Sequence, residues 1–241
     1  MTAPIRPPAR TLAATAIIGV AVFGLAAAGA AGGRVGPTEE AAFRWVNGWP
    51  DALEPALWIF QLAGVLVVPL VLAGVAWWSG RHRLAWVLAA IVPAKLVVEH
   101  LLIKQVIDRQ RPGTTICHLD ASCAAFRGVP LDGPSFVSGH AVIAWAVATV
   151  LWWSLPSSWR WVPVTVALAN SVARVYLGAH NPLDVVGGAG IGLAIGSLLL
   201  LALDRSPNAA IDHHDHEART ADPGTSDASE RLVAEGRRDP A

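Results

Sequence analysis

The chain has 241 residues, is 54% hydrophobic and only 15% charged, and carries no formal net charge. A mean hydropathy of +0.46 with long uncharged runs reads as an integral membrane protein. The charge balance argues against a nucleic-acid partner, and the apolar content excludes a disordered polymer.

Residues 1–10 are polar, carry Arg6 and Arg10, and read as a cytoplasmic N-terminus. Residues 11–32 form a continuous apolar run ending in small residues. At about 22 residues it suits a membrane span better than the ~7–15-residue core of a signal peptide. Residues 33–56 mix charges with aromatic and apolar positions, which predicts a short helix lying on the membrane surface. Further spans are predicted at about 57–79, 84–103, 138–155, 161–177 and 183–203. The longest polar connection, residues 104–137, contains Pro112, Gly113, Gly128, Pro130 and Gly133 and reads as mostly loop. The fold class is therefore all-α: a six-transmembrane-helix bundle over 11–203, with its motif-bearing core at about 50–200. Residues 204–241 form a polar tail, expected to be disordered and cytoplasmic.

Six spans put both termini on one side. Arg6, Arg10, Arg81, Arg83, Arg160 and Arg205 favour that side as cytoplasmic. Trp77, Trp78, Trp86, Trp152, Trp153, Trp159 and Trp161 fall at the same interface, and Trp45, Trp49 and Trp58 at the other. Cys117 and Cys123 share the long polar loop; the sequence leaves open whether they are paired or free.

Counting spans brings three polar clusters to one face, the extracytoplasmic one. These are Lys104 with Arg111, then Ser138-Gly139-His140, then Arg174 with His180 and Asp184. The chemistry is that of an anion site. The cations attract charge. Ser138 and Gly139 open a helix whose first amides have no intrahelical partner, and glycine lets an oxyanion approach them. Asn181-Pro182-Leu183-Asp184 opens the next helix as a cap, a proline at the first helical position and an acid in the first turn. Asp184 lies close enough in sequence to orient the His180 ring. Three cations and two helix N-termini around two histidines suit a phosphate better than a metal, and no metal site is expected.

Each cluster alone has a plainer reading. Lys104 and Arg111 could be interfacial cations, Ser138-Gly139-His140 a helix cap, and Arg174 to Asp184 an ion pair between helices. Their joint occurrence on one face is what favours a site. Lys95 and Glu99, one helical turn apart, most simply neutralise each other. His100 and His118 read as structural or solvated, and the tail run Asp212–Glu217 as a solvated segment rather than a metal site.

The spacing Lys104-x6-Arg111-Pro112, Ser138-Gly139-His140, Arg174-x5-His180-x3-Asp184 resembles the three signature motifs of the type-2 phosphatidic acid phosphatase superfamily, membrane phosphatases related to vanadium haloperoxidases. Two positions depart from the family pattern: Val137 stands where a proline is usual, and Ala173 where a serine is. The resemblance implies that His180 is the nucleophile and forms a phosphohistidine, with Asp184 holding its ring. It implies that His140 protonates the leaving group and then activates water. Lys104, Arg111, Ser138, Gly139 and Arg174 would bind the phosphoryl oxygens, with no cofactor. The expected substrate is a lipid phosphate or diphosphate: a polyprenyl diphosphate, phosphatidic acid or phosphatidylglycerol phosphate. Alternatives are a soluble or sugar-lipid phosphoester, or a non-catalytic lipid-binding protein. The expected partners are that substrate and membrane lipids, not nucleic acid, and the chain is compatible with a homo-oligomer.

Overall fold

The computed structural model describes residues 8–99 and 107–204. The described residues are helical, with no strand among them beyond one isolated bridge between Gln110 and Pro134. In chain order the helices are α1 (Ala9–Ala30), α2 (Pro37–Asn47), α3 (Glu54–Gln61), α4 (Val67–Trp78), α5 (His82–Leu96), α6 (Pro112–Thr115), α7 (Gly139–Ser154), α8 (Trp161–Tyr176) and α9 (Pro182–Asp204). Residues Met1–Leu201 cluster as one compact unit, which holds the site described below, and Ala202–Ala241 as a second. The tail beyond Asp204, including Asp212–Glu217, lies outside the described residues.

Each of the six apolar segments is helical over its described residues, but they are not equal. Two described helices, Ala9–Gly33 and Pro182–Leu203, are long and apolar enough to cross a membrane. A third candidate is Asp51–Gly64 followed by Val67–Trp78, a pair bent by 66°. Helices α5, α7 and α8 have 15, 16 and 16 residues, short of the ~20 an upright span needs. Local chemistry explains the ends. α7 stops at Ser154 before Leu155-Pro156, and a residue preceding proline is pushed out of the helical region. α5 contains Pro93, which removes a ladder hydrogen bond, and the helix widens into a π-turn over residues 97–99.

The outer surface agrees with a membrane protein. Ile17, Leu25, Ile59, Val75 and Trp161 are exposed, and Trp78 is 92% exposed, as side chains facing lipid would be. Edge-to-face pairs Trp77–Trp86 and Trp152–Trp161 fall in the group expected at one interface, and Trp45–Trp49 in the other.

Helix α2 presents one stripe inward: Glu39, Phe43 and Asn47, spaced four apart, are buried. Phe43 packs in a cluster with Ile116, Cys117, Ala141, Val175 and Val185, so α2 caps the ends of α7, α8 and α9. The surface helix expected at 33–56 thus also roofs the bundle. The long connection is sewn down beside it. Asn47 bonds Ala125 through both its amide nitrogen and its oxygen, at 2.8 and 2.9 Å. Buried Arg127 reaches Asp51 and the Tyr176 carbonyl and lies 3.9 Å from the Tyr176 ring centroid. Cys117 and Cys123 form a disulfide within the same loop.

Candidate active site

The start of α7, the end of α8 and the start of α9 meet at one place. The Ser138 N–H donates to the Asp184 carbonyl at 2.9 Å, tying the first turns of α7 and α9 together. A cavity of about 280 Å³ opens there, lined by Arg111, Gly139, His140, Arg174 and His180. Residues from three separate motifs therefore line one cavity. Ser138 and Asp184 are buried behind it. Lys104 and His100 lie outside the described residues, and His118 falls in the loop at a positive φ. A cavity of similar size elsewhere, lined by Thr15, Trp145, Thr149 and Trp152, offers no titratable side chain and so no comparable chemistry.

The cavity wall is rich in unanswered donors. Ser138 Oγ, Arg111 Nε and Arg174 Nε are buried without a hydrogen-bond partner, an arrangement that needs an explanation in a native structure. The oxygens of a phosphoryl group would answer all three. Ser138 is the N-cap of α7 but makes no side-chain cap bond, so its hydroxyl remains available.

Asp184 is the most constrained group in the site. Oδ1 accepts from Arg109 Nη1 at 3.0 Å. Oδ2 accepts from the Ser135 hydroxyl, from the Asn181 N–H at 2.8 Å and from Asn181 Nδ2 at 3.3 Å. His180 Nδ1 lies 3.7 Å from Oδ2, beyond hydrogen-bond range, and 3.2 Å from Ser135 Oγ. The orienting link expected directly from Asp184 therefore runs through Ser135. A hydroxyl has one proton. Given to Asp184, it leaves Ser135 Oγ as an acceptor for Nδ1–H, which puts the free lone pair of His180 on Nε2. Burial pushes the His180 imidazole below its ordinary pKa, with the Asp184 carboxylate opposing that effect.

Several of these residues gave no sequence signal. Arg109 is buried and also pairs with Glu39 of α2, whose other oxygen accepts the Leu183 N–H at 2.8 Å. Glu39 thus caps α9 from 144 residues earlier in the chain, a link that spacing arguments do not reach. Gln61 at the end of α3 accepts from Arg174 Nη1 and is buried. Asn170 Nδ2 donates to the Gln61 carbonyl at 2.9 Å, stitching α8 to the bend after α3. At the start of that bend, a Cβ on Gly64 would lie 2.5 Å from the His140 carbonyl oxygen, so only glycine allows this approach. Lys95 and Glu99 pair as expected, and the pair lines the cavity.

Comparison with known proteins follows the same residues. The chain is 32% identical over 149 residues to decaprenylphosphoryl-5-phosphoribose phosphatase of Mycobacterium tuberculosis, in two strains, covering 58% of this chain and 68% of that protein. The crystal structure of Aquifex aeolicus LpxE superposes with a TM-score of 0.56 at 26% identity, covering 66% of this chain and 93% of that one. The model of the PAP2 superfamily matches residues 83–207, just over half of the chain and all three motifs. The chain therefore belongs to the PAP2 superfamily, a family of phosphatases with lipid substrates.

Proposed function

We propose that this chain is a multi-pass membrane phosphatase that removes the phosphate of a lipid-linked phosphoester through a phosphohistidine on His180. The observation that carries the reading is the cavity where two histidines, two arginines and the start of α7 converge, with Asp184 held rigidly behind. His180 Nε2 attacks phosphorus while the bond to the leaving oxygen breaks. His140 gives its proton to that oxygen. A water then attacks the phosphohistidine, losing its proton to His140, and inorganic phosphate leaves with His180 restored. Arg111, Arg174, the Ser138 hydroxyl and the Gly139 amide answer the charge on the phosphoryl oxygens, and Lys104 joins them. No metal or cofactor takes part.

The substrate is a lipid phosphate or diphosphate, and the name borne by the Mycobacterium tuberculosis relatives favours a sugar-linked polyprenyl phosphate among these. The six apolar segments act as spans over 11–203, the site opens to the extracytoplasmic side, and both termini and the 204–241 tail lie in the cytoplasm. The Cys117–Cys123 disulfide supports that orientation, because its loop carries Arg111 and disulfides persist in oxidising compartments.

The test is phosphate release by the detergent-solubilised full chain from radiolabelled lipid phosphates with EDTA present, followed by quenching in alkaline detergent. The expected result is EDTA-resistant release and an acid-labile label on wild-type protein, both absent in His180→Ala. Release that persists in His180→Ala would refute the mechanism.

A further inference from the structure

Two buried charges line the cavity without a role in the chemistry above. Lys95 and Glu99 lie one helical turn apart on the α5 segment and are ion-paired. In an apolar helix such a pair is expensive to bury, and intramembrane charges face functional cavities as a rule. Their position is specific. A Cβ built on Gly139 would lie 2.8 Å from Glu99 Oε2 and 3.0 Å from Lys95 Nζ. The pair therefore abuts the first turn of α7, where the phosphoryl cradle begins. Gly139 is followed directly by His140, so the pair stands beside that histidine on the cavity wall. In the displacement proposed above His180 attacks phosphorus from one side and His140 serves the leaving oxygen on the other, and the pair belongs to the His140 side. That is the side on which the leaving group departs.

We propose that the Lys95–Glu99 pair is a leaving-group subsite that takes a hydroxylated group, a sugar or polyol, in preference to a second phosphate. The inference rests on the phosphohistidine reading of the same cavity. An ammonium beside a carboxylate offers donors and an acceptor a few ångströms apart. Adjacent hydroxyls match both, since one oxygen accepts from Lys95 while another hydroxyl donates to Glu99. A second phosphate is pure acceptor. It would gain the Lys95 contact, meet the Glu99 carboxylate head-on, and find no net positive charge in the pair. Val65, Leu66 and Ile143 continue the same wall and suit the apolar part of a lipid. A pair that merely cancelled its own charge would need no access to the cavity.

The test compares kcat/KM of the full chain in detergent on two lipids with the same prenyl chain, a polyprenyl-phosphoryl pentose phosphate and a polyprenyl diphosphate. The wild type should favour the pentose substrate at least tenfold and lose at least tenfold on its deoxy analogue, because a site built to bond a hydroxyl rejects substrates that lack it. Glu99→Gln should shift the ratio at least tenfold towards the diphosphate. A wild type that favours the diphosphate, or is indifferent to the deoxy analogue, overturns the proposal even if no variant folds. So does a ratio unchanged in folded Glu99→Gln. Label on His180 after an alkaline quench separates the two readings: with label but no hydroxyl preference only the subsite falls, and without label both do.

Discussion

Replacing Arg109 tests whether Asp184 is held as tightly as the geometry implies. The Arg109 side chain is 0% exposed, and its carboxylate partners Asp184 and Glu39 are 0% and 8% exposed. The three groups carry a net charge of −1, one guanidinium against two carboxylates. Arg109→Met takes this to −2 with both acids still buried. Removing one member of a buried pair costs about 3–5 kcal/mol, against about 0–1 kcal/mol for an exposed one. For a chain of this size that corresponds to a fall in melting midpoint of roughly 6–20 °C rather than a few degrees. The assay is thermal unfolding in detergent, followed by circular dichroism. Adding Glu39→Gln restores the charge of −1 and keeps a carbonyl for the Leu183 N–H, so the double variant should recover about 0.5–3 kcal/mol relative to additivity. A loss below about 1 kcal/mol in Arg109→Met, or strict additivity in the double variant, would refute the buried-network reasoning.

Ser135→Ala removes the hydroxyl between Asp184 and His180 Nδ1. It should lower kcat by about 10–100-fold with little change in KM, matching the ~1–3 kcal/mol of a lost buried partner; a wild-type kcat would show that the hydroxyl does not set the ring. Because burial lowers the His180 pKa, its neutral, nucleophilic form persists below pH 6.5, the value of an unperturbed imidazole. The acid limb of kcat/KM should therefore lie below that pH, and an acid limb above it contradicts the assignment. Opening the Cys117–Cys123 disulfide, whose cysteines are 6 residues apart, should cost about 2 kcal/mol by loop-closure entropy. Thermal midpoints of the wild type with and without reductant, set beside that of the Cys117→Ala/Cys123→Ala variant, measure it, and a wild-type midpoint unchanged by both counts against the bond.

The parts of the site that were legible in the sequence are those carried by local spacing. Arg174, His180 and Asp184 are joined by a single turn, and Ser138, Gly139 and His140 by one helix start, so local spacing places each cluster at a helix end. In the structure Arg111, Gly139, His140, Arg174 and His180 line one cavity. Less legible were contacts that depend on packing between distant elements. Glu39 reads as one more acid of a surface helix, Gln61 as a polar residue in an apolar run, and Ser135 as one of several serines; each acquires a partner only when α2, the bend after α3 and the long loop are folded over the helix ends. The ends of α7 and α8 at Ser154 and Tyr176 fall beside the bounds that hydropathy gives. The 66° bend within the apolar run at 57–79 is not legible there, because it is set by backbone geometry that composition does not weigh.

The Glu39–Arg109–Asp184 contact bears on where the working enzyme begins. The stretch that identifies the family starts at residue 83, and a fragment cut to that stretch would keep every motif. It would lack Glu39, the external cap of α9, and Gln61, the acceptor that steadies Arg174. It would also lack Gly64, against which the His140 turn rests. Such a fragment would be recognisable and inert. Recognition depends on the motif residues, whereas the site is also built by an N-terminal third that braces them and, through Gly64, Val65 and Leu66, lines the cavity. Shuffling that third between relatives should therefore alter turnover with no motif changed.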